Sequence, residues 1–330
     1  MKPAISIVVP VYNEEEGLTA LFARLYPALD ALNRAYEVLF VNDGSRDGSV
    51  ALLKEQFQRR PAETRVILLQ VNFGQHAAIL AGFARARGRY VVTLDADLQN
   101  PPEEIAKLLA ELEAGHDYVG TWRGNRRDLW WRRTASKFVN LIRERTTPIK
   151  MADHGCMLRG YARSVVDAIN STRENVTFIP ALASLYAGNP TEIEVKHDER
   201  VAGASKYSLY RLIRLSFDLM TGFSTVPLQF FSLAGLALSL LSGALVVYLL
   251  GRRLILGPEV DGVFTLFAIV FFFLGIALFG IGLLGEYIGR IYVQVRQRPR
   301  YIIGAVLESP VAVAADATAA ERRQLPGSTP

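Results

Sequence analysis

The sequence predicts an α/β domain built on a mostly parallel sheet, followed by helices that belong in a membrane. Three observations carry this expectation. Short apolar runs alternate with amphipathic stretches through the first 120 residues. The runs are rich in Val, Ile and Leu and nearly continuous in apolarity, as strands covered on both faces are. Two long stretches further on, residues 219–251 and 262–285, contain no charged residue.

Strands are expected at 5–10 (ISIVVP), 36–41 (YEVLFV), 66–71 (VILLQV), 90–94 (YVVTL) and 117–120. Helices are expected between them, at 15–33, 47–59, 76–86 and 102–114. The last has prolines at its opening, Asn100 as a candidate cap and Gly115 at its close. Alternation at this spacing argues for a parallel sheet with helices on both faces. From Thr121 to about Gly203 the pattern is less regular, with a piece at 153–159, a helix near 179–187 and a strand near 192–196. Residues 207–220 set Arg211 and Arg214 among Leu209, Leu212, Leu215 and Phe217, a pattern that suits a helix lying in a membrane interface. Residues 227–250 and 263–285 are each long enough to cross the ~30 Å hydrocarbon core at about 1.5 Å per residue. Arg290, Arg296, Arg298 and Arg300 follow the second span and put that side in the cytoplasm, outnumbering Arg252 and Arg253 in the connecting turn. The resulting division is 1–205 catalytic domain, 206–226 interface helix region, 227–250 and 263–285 membrane helices, 286–308 juxtamembrane segment and 309–330 disordered tail.

Composition narrows the class. Of 330 residues, half are hydrophobic and 21% charged, with a mean hydropathy of +0.19. That excludes a disordered chain, a collagen-like chain, a disulfide scaffold and a purely soluble enzyme. The single cysteine, Cys156, excludes an internal disulfide and reads as a buried thiol. Residues 1–3 run straight into a strand without the succession of a signal peptide. Net charge is only +5, but residues 123–150 hold nine Lys/Arg against Asp128 and Glu144, which calls for an anionic partner.

In parallel sheets ligands sit beyond the carboxyl ends of the strands. Four polar clusters fall there: Val11-Tyr12-Asn13-Glu14, Asn42-Asp43-Gly44-Ser45, Asn72-Phe73-Gly74-Gln75 and Asp95-Ala96-Asp97-Leu98-Gln99. Asp95 and Asp97, one residue apart at a strand end, can be turned towards one divalent cation. Hard oxygen ligands suit Mg²⁺ or Mn²⁺, a diphosphate can complete the shell, and the Gln99 amide oxygen is a candidate third ligand. Asp43 fits either a turn or a base-binding role, while Ser45 or Asp47 fits a helix cap. Arg123, Arg126, Arg127, Arg132, Arg133 and Lys137, with Trp130 and Trp131 among them, suit a lipid phosphate at the bilayer surface better than nucleic acid, because two membrane spans share the chain. Arg200, Gly203, Ser205 and Lys206 form a loop able to close over phosphates. His76 belongs to a helix start and carries no assigned chemistry.

These motifs resemble the GT-A fold glycosyltransferases of family 2. The two spans and the loop at 200–206 narrow the resemblance to polyprenyl-phosphate glycosyltransferases, over about residues 4–305. The resemblance implies inverting transfer from a UDP-sugar donor to undecaprenyl phosphate, with transfer of glucose or another sugar for O-antigen modification as the nearest alternative to a sugar for lipid A modification. It implies that Pro10, Tyr12, Glu14, Asp43 and Asp95 hold the nucleotide and that Asp95, Asp97 and Gln99 hold the metal. Arg200, Ser205 and Lys206 would close over the donor diphosphate, and Arg123 and Lys137 would grip the acceptor phosphate. Lys137 stands where many relatives carry Arg, so a point charge replaces a bidentate fork. Asp153 is the candidate catalytic base, with an orienting role and a simple turn as its alternatives. The resemblance also implies a multi-pass protein of the bacterial inner membrane, a cytoplasmic catalytic domain, contact with membrane lipids, no nucleic acid and a homotetramer. A processive polysaccharide synthase is disfavoured, since its Gln-x-x-Arg-Trp motif needs an Arg-Trp pair that this chain does not contain. A membrane-anchored nucleotide-sugar-binding protein without catalysis is the rival from another class.

Overall fold

Residue parity along the first strand sets the layers. The computed structural model of the chain describes residues 3–123, 156–172, 178–196, 225–256, 263–296 and 298–309. Strand β1 (Ile5–Val11) leads into α1 (Glu15–Asp30), β2 (Tyr36–Asn42), α2 (Ser49–Arg59), β3 (Thr64–Leu69), α3 (Gln75–Arg85) and β4 (Tyr90–Thr93). A short 3₁₀ turn (Pro102–Glu104) then runs into α4 (Ile105–Glu113), followed by β5 (Tyr118–Arg123) and β6 (Arg159–Ala162). Helices α5 (Arg163–Ser171) and α6 (Ile179–Tyr186) precede β7 (Pro190–Val195). The two long helices are α7 (Val226–Leu256) and α8 (Val263–Val295), and the last element is β8 (Ile303–Leu307). Ile5, Ile7, Val9 and Val11 face one side, where they join Phe40 and Val66 under Leu18, Leu21 and Leu25 of α1, Leu53 of α2 and Leu108 of α4. Val8 faces the other side, where α3 packs so closely that a Cβ on Gly82 would lie 2.4 Å from Val8 Cγ1. Period-two alternation thus buries both faces, as the apolar runs predicted.

Among the described residues the sheet has eight strands in the order β7-β5-β6-β4-β1-β2-β3-β8. β4, β1, β2 and β3 are mutually parallel where they pair, and β5 pairs parallel with β7. β6 runs antiparallel to β4 and β5, and β8 antiparallel to β3. The mostly parallel α/β fold expected from the sequence is therefore present.

Strand β8 departs from the expected division. Residues 303–307 lie in the segment read as juxtamembrane, yet they form the outer strand of the sheet. Buried charges secure its far end. Glu308 pairs with Arg65 and Arg87, and Arg65 pairs with Glu37, each at 2.9 Å. Arg65 and Glu37 are only 4% and 5% exposed. Glu37 also accepts from the Ser6 hydroxyl and the Arg87 amide, both at 2.6 Å.

The chain divides into two compact units. One holds the sheet with α1–α6; the other holds α7 and α8. Within the second, Phe231 of α7 lies 5.9 Å from Phe279 of α8, ring centre to ring centre. Among the described residues, Ile269–Val295 is long and apolar enough to cross a membrane, with a mean hydropathy of 2.3 and 6% burial across its most apolar window. Helices α7 and α8 cover residues 227–250 and 263–285, the stretches expected as spans, and in α7 the apolar stretch among the described residues is the shorter Leu228–Leu238. The interface helix expected at 207–220 and the tail beyond residue 309 lie outside the described residues.

Candidate active site

The carboxyl ends of β4, β1, β2 and β3 are neighbours on one edge of the sheet, so the four polar clusters share that edge. At the end of β1 the chain turns through Asn13, whose backbone is left-handed at φ 53°. Asn13 N–H donates to Ser45 Oγ at 3.0 Å, and its Oδ1 accepts from the Arg46 amide at 2.9 Å. The first amides of a helix have no acceptor within it. Here Asp47 of the β2–α2 loop and Ser49, the first residue of α2, supply acceptors at the start of α1: Ser49 Oγ for the Glu14 amide at 3.0 Å and Asp47 Oδ2 for the Glu15 amide at 3.1 Å. Glu15 Oε2 accepts from Gly48 in return, at 2.8 Å. Asp47 also caps its own helix, taking the Ser49 amide on Oδ1 at 3.1 Å. Burial pushes the Asp47 carboxyl up, but hydrogen bonds from Ser49 and Glu15 outweigh it and hold the group below its ordinary range. The cap expected of Ser45 or Asp47 belongs to Asp47, which serves two helices, while Ser45 reaches across to the β1 loop.

Gly44 shows why the β2 loop needs a glycine. Its φ is +69°, and a Cβ there would lie 2.7 Å from the Asn72 amide nitrogen. The β2 and β3 loops are therefore pressed together. Asp43, 2% exposed, joins them by accepting from the Phe73 amide on Oδ1 at 2.7 Å and the Gly74 amide on Oδ2 at 2.8 Å. Burial pushes its carboxyl up, and the two amides offset only part of that. Each oxygen keeps a second lone pair for a ligand. Between these loops lies a cleft of about 430 Å³, lined by Tyr12, Asn42, Val50 and residues 44–46 and 68–72. Tyr12 is 45% exposed at this cleft. Asn42 is buried, and its Oδ1 has no hydrogen-bond partner among the described residues. Pro10 pairs in register with Val41 on the neighbouring strand.

Asp95 and Asp97 follow β4. Gln75, the first residue of α3, donates from Nε2 to Asp95 Oδ1 at 2.6 Å. Asp97 Oδ1 accepts from the Gln99 amide at 3.1 Å across Leu98, whose backbone is left-handed at φ 58°. The chain thus turns sharply directly after the carboxylate pair. Among the described residues no three Asp, Glu, His or Cys groups gather as a metal cage. Two carboxylates and an amide oxygen still fit a hard divalent cation whose remaining ligands are water and diphosphate. The Gln75 contact would orient one of those carboxylates.

Behind the pair lie groups that sequence reasoning gave other parts or none. His76 Nδ1 is buried and has no hydrogen-bond partner among the described residues, and the ring meets Phe178 edge-on at 5.2 Å. Burial first, then the positive charge of Arg159, lowers its pKa to about 4. Cys156 is a buried thiol, as expected, with Sγ 2.8 Å from Thr121 Oγ1. Asn100 turns inward, its Oδ1 accepting from that thiol at 3.4 Å, instead of capping the helix that follows. Gln75 was legible as a strand-end residue, but its hold on Asp95 was not.

Not every candidate is brought to this edge. Glu14 is there, at the start of α1. Arg123 is the last residue of β5, its backbone in register with Val195. Lys137, Asp153, Arg200, Ser205 and Lys206 lie outside the described residues, as does the basic run beyond Arg123.

Residues 6–169 match the Glycosyl transferase family 2 family, and the chain belongs to it. Over 307 residues it is 49% identical to the undecaprenyl-phosphate 4-deoxy-4-formamido-L-arabinose transferase of Aeromonas hydrophila subsp. hydrophila, covering 92% of this chain and 94% of that relative. Similar solved structures include glucosyl-3-phosphoglycerate synthase from Mycobacterium tuberculosis with Mn²⁺, UDP and phosphoglyceric acid, at 16% identity and a TM-score of 0.47 over 67% of this chain and 77% of that one. S. aureus TarS with UDP-GlcNAc is another, at 19% identity and a TM-score of 0.42 over 68% of this chain and 67% of that one.

Proposed function

We propose that the chain moves 4-deoxy-4-formamido-L-arabinose from UDP to undecaprenyl phosphate, with inversion at the anomeric carbon. The observation that carries this is the 49% identity extending over 92% of the chain to a transferase of that name. The lipid-linked product would serve lipid A modification and polymyxin resistance, as the resemblance implies.

Uridine would lie in the cleft beside Tyr12, with Pro10, Glu14 and Asp43 around it. Asp95 and Asp97, with Gln99, would hold Mg²⁺ or Mn²⁺ against the donor diphosphate. That cation, when bound, supplies charge to stabilise the departing UDP. Arg200, Ser205 and Lys206 would add cationic and hydroxyl contacts to the same phosphates. Arg123 and Lys137 would hold the acceptor phosphate. The nucleophile is an oxygen of that phosphate, and with a second pKa near ~6 it is largely ionised at neutral pH. Deprotonation is therefore a small part of the barrier, and Asp153 would chiefly orient the acceptor or the sugar.

The acceptor also explains the apolar helices. A polyprenyl tail stays in the bilayer, so its phosphate meets the enzyme only at headgroup level. The reading places α7 and α8 across the bacterial inner membrane, the catalytic unit in the cytoplasm, and the chain in a homo-oligomer, a tetramer by resemblance. Purified full-length protein, incubated with a panel of UDP-sugars and undecaprenyl phosphate, tests the chemistry by mass spectrometry of the lipid. The formamido-arabinosyl lipid is the expected product. A glucosyl or other glycosyl lipid in its place would overturn the sugar assignment.

A further inference from the structure

We propose that strand β8, reached only after the chain has passed through α7 and α8, positions the wall of the donor cleft. The inference rests on reading that cleft as the uridine site.

The outer wall of the cleft is formed by residues 68–72. Its backbone is held by β8. Leu68 and Leu69 pair with Ala305 and Ile303, with a shift of register between them. One residue beyond β3, the Gln70 amide donates to the Ile302 carbonyl at 3.0 Å. Gly304 leaves room for this approach, since a Cβ there would lie 3.3 Å from Gln70 Cγ and 3.5 Å from the Leu68 carbonyl oxygen. At the other end of the strand, Glu308 is fixed by Arg65 and Arg87 at 2.9 Å each. One end of β8 is therefore clamped by buried charge while the other end touches the cleft wall.

The wall passes any displacement onward. Val71 and Asn72 press on Gly44 of the β2 loop. Phe73 and Gly74 hold both oxygens of Asp43. Without β8, the β3 edge loses its backbone partners and the irregular step at Leu68 and Leu69 loses its template. Gln70 and the two residues after it would then be placed by the β2 loop alone. Ile302, Gly304 and Glu308 touch no reacting group, so their part is positioning, and it should appear in donor binding more than in the chemical step.

The test uses full-length protein in detergent or nanodiscs. UDP affinity is measured by calorimetry, and initial rates are measured against UDP-sugar and against lipid. Gly304→Val pushes on Gln70 directly. It should raise the UDP Kd and the donor KM on the order of tenfold, leaving kcat at saturating donor and the lipid KM within about twofold. Glu308→Gln loosens the clamp without adding bulk. It should give a smaller rise, about threefold, together with faster hydrogen exchange at the Gln70 amide. Glu308→Gln keeps the proposal falsifiable if Gly304→Val does not fold. Unchanged donor affinity in the folded variants, or an equal loss of kcat and of use of both substrates, overturns the role of β8 while the donor reading stands. A wild-type protein that binds no UDP overturns the donor reading and this inference with it.

Discussion

Asp97 has one oxygen on the Gln99 amide, and Asp95 has one on Gln75, so the pair is held in place before any cation arrives. Asp97→Asn keeps the shape and removes the charge that the proposed cation would use. Turnover should fall on the order of 100-fold or more while the melting temperature stays within a few degrees, because the change sits at a strand end. EDTA should act likewise on the wild type, and full lipid glycosylation in its presence would exclude the metal assignment. His76 yields a second expectation. The unfolded chain takes up its proton near pH 6.5, the folded chain only near 4. Between those values the unfolded state binds more protons, so this contribution to stability is complete above 6.5 and is lost as pH falls towards 4. Thermal melts at pH 7 and pH 5 should show a smaller drop for His76→Gln than for the wild type, and equal drops would mean that another group titrates. The carboxylate pair was legible because a strand-end position can be read from local pattern. The Gln75 contact and the inward turn of Asn100 were not, since both depend on partners brought together only by the sheet.

Strand and helix boundaries followed periodicity closely where both partners are local. Helix α1 ends at Asp30 instead of Asn33, and β3 spans 64–69 instead of 66–71. Strand β8 is the instructive exception. Its residues, IGAVL after Tyr301 and Ile302, are apolar and partly β-branched, a fair strand signal. Their place after α8 argues for a juxtamembrane segment, and nothing local says that their partner is β3. The same distance conceals the Glu37–Arg65–Glu308–Arg87 cluster. The Arg65–Glu37 pair at its centre is the unforgiving part: removing Arg65 takes the ion-pair partner from a carboxylate only 5% exposed, at a typical cost of about 3–5 kcal/mol, whereas Glu308 and Arg87 lie nearer the surface at 17% and 15% exposed. Arg65→Met should therefore lower stability far more than Arg59→Met, whose exposed pair with Glu55 one helical turn away is worth only about 0.3–0.5 kcal/mol. Denaturant melts of both variants check this, and equal effects would mean that the cluster is solvated.

At the scale of the whole chain, β8 constrains topology. The polypeptide leaves the sheet after β7 and re-enters it at β8, so both ends of the intervening segment lie on one side of any membrane it enters. Membrane crossings must then be even in number. If α8 is one crossing, α7 is its natural counterpart, which the charge-free run at 219–251 already suggested. Cysteine labelling tests the pair in intact cells. A membrane-impermeant maleimide should reach Glu259→Cys and fail to reach Ser309→Cys until the cells are opened. The reverse pattern would put the catalytic unit on the wrong side for a cytoplasmic UDP-sugar. The native thiol, Cys156, is buried and contributes little background.

The position of β8 also orders the protein's biosynthesis. While a ribosome is still making α7 and α8, the edge of β3 has no partner and stays open to stray pairing with other chains. Its proper partner emerges only after both apolar helices have been made. A catalytic domain stalled or cut before that point is missing the strand that backs residues 68–72 of the cleft. If the cleft holds the donor as proposed, competence to grip it arrives last, after both apolar helices have been made, and a prematurely terminated chain would be poorly equipped to consume nucleotide sugar.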